Sequence, residues 1–158
     1  FGCGTGLIGL NIASSARKLI GVDSSPKMLD CFVEKSAILT CDVETHLADE
    51  LQVGVFKNID LIVSAMTCHH IRELSSLFHQ FYHALSENGM LVISDLDQED
   101  GTFHSDMTQV FHQGFSKETM TRYFHEAGFH LIHTTCVYTI HKNERDYPVM
   151  LYIGKKVS

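Results

Sequence analysis

Three glycines at alternate positions, Gly2, Gly4 and Gly6, open the chain, and a fourth follows at Gly9. This run constrains the fold more than any other feature. Glycine takes left-handed backbone at no steric cost, so the spacing predicts a sharp turn whose backbone N–H groups lie open to a ligand. A turn of this kind joins a buried strand to a helix. Residues 7–16 read as the helix. Only Phe1 stands before the glycines, so the chain is expected to lack the first strand of its domain.

Beyond the glycines, short apolar runs alternate with helical patterns. Strands are expected at Lys18–Val22, Ala37–Thr40, Ile59–Ser64 and Met90–Ser94; Lys18–Val22 reads as buried, and Ile59–Ser64 is nearly all apolar, which suits a strand covered on both faces. Ser25 at the N-cap and Pro26 at the first helical position start a helix that runs to about Lys35. Apolar residues at 71, 74, 77, 78, 81 and 85 form a 3.6-residue stripe, a helix stopped by Asn88-Gly89. Ser116–Ala127 is a further helix, closed by Gly128. Ile132–His141 and Val149–Lys155, separated by the polar turn Lys142–Asp146, read as an antiparallel hairpin. The alternation predicts an α/β fold with a mostly parallel sheet, as a single domain over residues 1–158.

Twelve Lys and Arg against 19 Asp and Glu give a net charge of −7, with no basic cluster. That argues against nucleic acid as a partner, because phosphate-backbone binders carry a basic footprint. The apolar runs are strand-sized, well short of the roughly 20 residues of a membrane span, so no membrane segment is expected. Cysteines stand at 3, 31, 41, 68 and 136. The odd count and the lack of any C-x-x-C pair argue against a zinc ribbon or a disulfide framework, and point to a reducing, cytoplasmic compartment.

Ligands of open α/β sheets bind beyond the carboxyl ends of the strands. Gly2–Gly6, Asp23, Asp42, Ser64–His70 and Asp95 all read as lying at such ends, on one rim. Gly4, Gly6 and Gly9 also fit the G-x-G-x-x-G fingerprint, and Asp23 ends a strand at the distance where an acid receives ribose hydroxyls. An adenosine-containing ligand follows.

Phe1-Gly2-Cys3-Gly4-Thr5-Gly6 resembles the first motif of the class I S-adenosylmethionine-dependent methyltransferases. Gly21-Val22-Asp23-Ser24-Ser25-Pro26-Lys27-Met28-Leu29 is similar to their second-strand segment, and Cys41-Asp42-Val43 to the third-strand acid. Ile59-Asp60-Leu61-Ile62-Val63-Ser64 and His69-His70-Ile71 resemble the fourth strand and the segment after it. Leu85-Ser86-Glu87-Asn88-Gly89-Met90-Leu91 resembles the approach to the fifth strand. The resemblance implies a Rossmann-like three-layer sandwich with an antiparallel C-terminal β-hairpin, and S-adenosyl-L-methionine as cofactor. It implies that Gly2, Gly4 and Gly6 pack against the methionine part and that Asp23 holds the ribose. Ser24 and Met28 would flank the adenine, Asp42 would accept its amino group beside the Val43 backbone, and Ser64 would line the methionine side.

The expected function is in-line methyl transfer to a small-molecule acceptor. The alternatives are an NAD(P)-dependent oxidoreductase of similar half-Rossmann build, or a non-catalytic protein that binds S-adenosylmethionine. Methyl transfer needs alignment and a dry site more than a fixed catalytic set. His69 and His70, after the fourth strand, are the candidate catalytic residues, since a histidine there can act as a base near neutral pH. The long segment from Asp95 to Phe115, with Asp97, Glu99, Asp100, His104, Asp106 and His112, reads as a lid or recognition loop whose acids could hold a cation. No metal site is expected. His79 and His83 have an i, i+4 spacing but lack the Glu of H-E-x-x-H, and the apolar stripe turns both toward solvent.

Overall fold

The structure is a computed structural model and describes residues 1–48 and 53–157. The chain divides into two compact units, Phe1–Gln52 and Val53–Ser158.

In the first unit the glycine turn leads into α1 (Gly9–Ile12) and a 3-10 turn at Ala13–Ser15, then β1 (Lys18–Asp23), α2 (Pro26–Ser36) and β2 (Asp42–Leu47). The helix expected over 7–16 is thus a single turn. Its sequence, Asn11-Ile12-Ala13-Ser14-Ser15, is dominated by weak helix formers. Ser25 caps α2 as expected, its Oγ accepting from the Met28 amide, with Pro26 behind it. The core of this unit is Phe32 on α2, which is fully buried. A Cβ at Gly6, Gly9 or Gly21 would come within 3.0, 3.5 and 3.1 Å of its ring. Gly6 and Gly21 therefore make room for this phenylalanine, while Gly9 stands at ordinary contact distance from it, a packing role distinct from ligand binding.

Ala37–Thr40 is not a strand. Ile38 is 88% exposed there, and the chain turns before pairing begins. The strand is the next, more polar segment, β2, which runs parallel to β1 from Lys18 opposite Asp42 to Asp23 opposite Leu47. Backbone pairing selects it: the Asp42 amide donates to the Arg17 carbonyl at 3.0 Å, and only from that point do both strands run in register.

The second unit holds β3 (Ile59–Ala65), α3 (Leu74–Ala84), β4 (Leu85–Leu96), α4 (Lys117–Glu126), β5 (Phe129–Lys142) and β6 (Arg145–Lys156). Its sheet has the order β3-β4-β6-β5. β3 and β4 are parallel; β6 is antiparallel to both β4 and β5. The α/β class, the parallel pairing and the antiparallel C-terminal hairpin are as expected. Leu77, Phe78 and Phe81 of α3, Leu91 and Ile93 of β4, Phe124 of α4 and Tyr152 of β6 are all fully buried. Phe78 meets Phe124 edge-on at 5.2 Å between centroids, a favoured aromatic geometry.

α3 is shorter than its stripe. A 3-10 turn at Cys68–His70 and extended backbone at Ile71 delay its start, and Leu85 already pairs with Ile59 in the sheet. Asn88, at φ 64°, therefore kinks a strand and does not stop a helix. The hairpin turn is tighter than Lys142–Asp146: Asn143 and Glu144 alone form it, with φ of 52° and 60°. No helix among the described residues is long and apolar enough to cross a membrane.

Candidate functional site

In the first unit, Gly2, Gly4 and Gly6 have φ of 63°, 51° and 89°, the left-handed conformation that the spacing predicted. The turn is stitched to the carboxyl end of β1. The Cys3 amide donates to the Val22 carbonyl at 3.0 Å, and the Gly4 amide to Asp23 Oδ2 at 2.8 Å. Asp23 Oδ1 accepts from the Ser25 amide at 2.9 Å. Each carboxylate oxygen thus holds one N–H and keeps capacity for a second donor.

The glycines differ in what surrounds them. Beyond Gly4 and its two chain neighbours, no described heavy atom lies within 4 Å of a Cβ built on Gly4, whereas one on Gly6 would strike Leu10 at 2.8 Å as well as Phe32. Gly4 presents an open face; Gly6 is glycine because side chains crowd it. Ser24 is exposed, and Met28 is 43% exposed and so not core filling. The Cys3 thiol is pushed up to about 11, chiefly by burial and then by the Asp23 charge, so it stays protonated beside this turn.

Asp42 and Val43 do not join this group. The register of β1 with β2 sets them opposite Lys18 and Leu19, at the amino end of the ladder, while Asp23 lies opposite Leu47. Five residues of strand, roughly 17 Å at 3.3 Å per residue, separate the two ends. Shifting the strand from Ala37–Thr40 to Asp42–Leu47 moved both residues off the expected rim.

In the second unit, Ser64 lies near the end of β3 and is buried. Its Oγ has no oxygen or nitrogen partner among the described residues, and the Cys68 sulfur lies beside it. Burial, and next the Asp95 charge, push the Cys68 thiol well above its ordinary value. His69 is 1% exposed. Its Nδ1 lies 2.6 Å from Asp95 Oδ1, and its backbone amide reaches Asp95 Oδ2 at 3.4 Å. The Leu96 amide adds a third donor to this fully buried carboxylate at 2.8 Å. His70 Nδ1 donates to the Gln109 carbonyl at 2.8 Å.

The segment after β4 does not gather its acids around a cation. Asp95 is taken by His69, and Glu99 Oε2 accepts from the Thr102 and Phe103 amides. Asp100 pairs with Arg145, and Asp106 caps the Thr108 amide. The segment is instead anchored over the histidines: the Phe111 and His112 amides both donate to the His69 carbonyl, at 2.9 and 3.2 Å. It delivers His104 to the pair, with ring centroids 4.9 Å from His69 and 5.5 Å from His70. Sequence spacing carries no sign of this, because His104 lies 34 residues beyond His70.

The methyltransferase domain family matches residues 1–89, more than half of the chain. The chain belongs to this family. An uncharacterized methyltransferase of Schizosaccharomyces pombe is 26% identical over 145 residues, 81% of this chain and 51% of that protein. Phosphoethanolamine N-methyltransferase 1 of Triticum aestivum is 29% identical over 117 residues, 71% of this chain and 24% of that protein. The chain thus spans about half the length of the first relative and a quarter of the second. A SAM-dependent methyltransferase of Methanosarcina mazei has the same fold, with a TM-score of 0.75 at 13% identity over 99% of this chain and 90% of that one.

The cofactor of this methyltransferase domain is S-adenosylmethionine, and the residues present fit it. Asp23 offers two oxygens with spare lone pairs, as a ribose diol requires, and Gly4 leaves the adjoining space open.

Proposed function

We propose that the chain is the cofactor-binding domain of an S-adenosylmethionine-dependent methyltransferase acting on a small-molecule acceptor by in-line transfer. The observation that carries this is the Gly4–Asp23 cradle, in which a left-handed glycine and a doubly anchored carboxylate leave one open, acceptor-rich face. Asp23 takes the ribose hydroxyls. Gly2 and Gly4 leave room for the methionine part, Ser24 and Met28 flank the adenine, and Ser64 lines the methionine side. Gly6 serves the packing of Leu10 and Phe32. When bound, the cofactor supplies an activated methyl group on a sulfonium leaving group. The family match runs from residue 1 to 89, across the boundary between the two units, which supports one domain over residues 1–158.

His69 and His70 are assigned to the acceptor side. They follow the carboxyl end of β3, where ligands of such sheets bind. With Nδ1 of each tied down, the Nε2 lone pairs are left to take a proton or hold a cation. The phosphoethanolamine relative supports a small acceptor. The net charge of −7 supports an acceptor other than nucleic acid, and five free cysteines support a reducing, cytoplasmic setting.

Calorimetric titration with S-adenosylhomocysteine, with NAD run alongside, tests the reading. Binding of S-adenosylhomocysteine alone is expected and raises the melting temperature. Binding of NAD alone would replace this reading with an oxidoreductase. Binding with no methyl transfer to any acceptor of a broad small-molecule panel would leave a non-catalytic binding protein.

A further inference from the structure

We propose that His69, His70 and His104 form a binding site for one divalent transition-metal ion of the zinc type. One ring nitrogen from each lies within 4.8 Å of the others. No spacing motif predicts this, since β3, its following turn and the segment after β4 must fold together to create it.

The hydrogen bonds around the rings set their chemistry. The Gln109 carbonyl can only accept, so His70 Nδ1 carries the proton and Nε2 the lone pair. The Asp95 carboxylate likewise accepts from His69 Nδ1, which frees the Nε2 of His69. A buried carboxylate behind a ligating imidazole is the usual support of a metal-bound histidine, because it fixes the ring and raises its basicity. His104 supplies the third observation. Its Nε2 is shut off from solvent and has no hydrogen-bond partner among the described residues. A buried polar nitrogen left without a partner costs free energy, and a cation would satisfy it.

The donor set chooses the ion. Three neutral imidazoles suit zinc, copper, nickel and cobalt, whereas magnesium and calcium take oxygen ligands. Lys142 acts against a cation at this site, and its Nζ is engaged by the Phe103 carbonyl at 2.5 Å. Glu99 acts in the other direction. Tetrahedral zinc with Zn–N near 2.0–2.1 Å needs nitrogens about 3.3 Å apart, so the rings must close by about 1.5 Å. His70 is exposed and His104 half-buried, so both have freedom to rotate inward against the fixed His69. Three protein ligands leave a fourth position open, the pattern of a reactive rather than a purely structural site. The inference deepens the acceptor-side assignment of His69 and His70 and rests on it for location, while ion binding itself stands without methyl transfer.

The test is titration of the chelator-treated full chain with Zn²⁺ by calorimetry and with Co²⁺ by visible absorption. One equivalent is expected, with the intense d–d bands of a tetrahedral Co²⁺ site. His70→Gln and His104→Gln, both at positions with room to change, should each weaken binding at least tenfold and remove those bands. The exposed pair His79→Gln and His83→Gln should change neither. Absence of binding, or binding retained in both His70→Gln and His104→Gln, would overturn the proposal. S-adenosylhomocysteine is titrated into the same samples. If it binds His104→Gln as it binds the parent, that variant is folded and its loss of metal is local. If metal binds while S-adenosylhomocysteine does not, the ion site stands and the methyltransferase reading fails.

Discussion

Asp95 Oδ1 and His69 Nδ1 lie 2.6 Å apart, both side chains shut off from solvent. The carboxylate also accepts from the His69 and Leu96 amides, so one residue at the end of β4 satisfies three donors that would otherwise be buried unpaired. Asp95→Ala should therefore cost more than a surface change. Leaving buried donors unpaired is worth about 1–3 kcal/mol each, and the loss should show as a lower midpoint in urea denaturation. A midpoint unchanged within error would mean that the carboxylate is not the anchor of this turn.

A pair of substitutions tests the cofactor cradle. Asp23→Ala should weaken S-adenosylhomocysteine binding by roughly 1.5–3 kcal/mol, the range for charge-assisted hydrogen bonds, or about tenfold to a hundredfold in Kd. Asp42→Ala should leave it unchanged, because the strand register sets Asp42 at the far end of the ladder. Calorimetry on the two variants reads both, and equal losses would mean that the register of β1 with β2 is wrong.

Thiol reactivity should follow burial. Cys136 is exposed, Cys3 is pushed up from 9.0 to about 11, and Cys68 is buried and raised well above its ordinary value. Since the thiolate is the nucleophile, two units lower its fraction about a hundredfold at pH 8. Alkylation of the native protein, followed by mass spectrometry, should mark Cys136 first and Cys3 much later. Cys68 should be marked only on unfolding. Labelling of Cys68 as fast as Cys136 would contradict its burial.

The C-terminal hairpin offers a stabilising change. Glu144 occupies left-handed backbone at φ 60°, directly after Asn143 at 52°. A non-glycine residue there costs roughly 1–2 kcal/mol, and Asn-Gly is the preferred pair for a two-residue turn with both φ positive. Glu144→Gly should raise the melting temperature by a few degrees, net of the extra freedom of glycine in the unfolded chain. A lower melting temperature would show that the Glu144 side chain matters more than the turn conformation.

Local chemistry was legible in the residues themselves. The left-handed glycines, the Ser25–Pro26 start of α2, the helix α4 closed by Gly128, and the strands at Lys18 and Ile59 all rest on interactions within a few positions of one another. The α/β class followed from their alternation, and the Gly4–Asp23 cradle from a turn joined to the end of one strand. Pairing between distant segments was not legible. An apolar tetrapeptide at Ala37–Thr40 looked more strand-like than Asp42–Leu47, and only the partner strand β1 decided between them. That choice removed Asp42 and Val43 from the cofactor group. The convergence of His69, His70, Asp95 and His104 likewise depends on β3, β4 and the segment after β4 meeting in space. Side-chain identity and short-range spacing fix caps, turns and the open glycine face, because those are settled by local sterics and hydrogen bonds. Strand register and the grouping of residues 26 or more positions apart are settled by which backbone ladders and buried contacts the whole chain can satisfy at once.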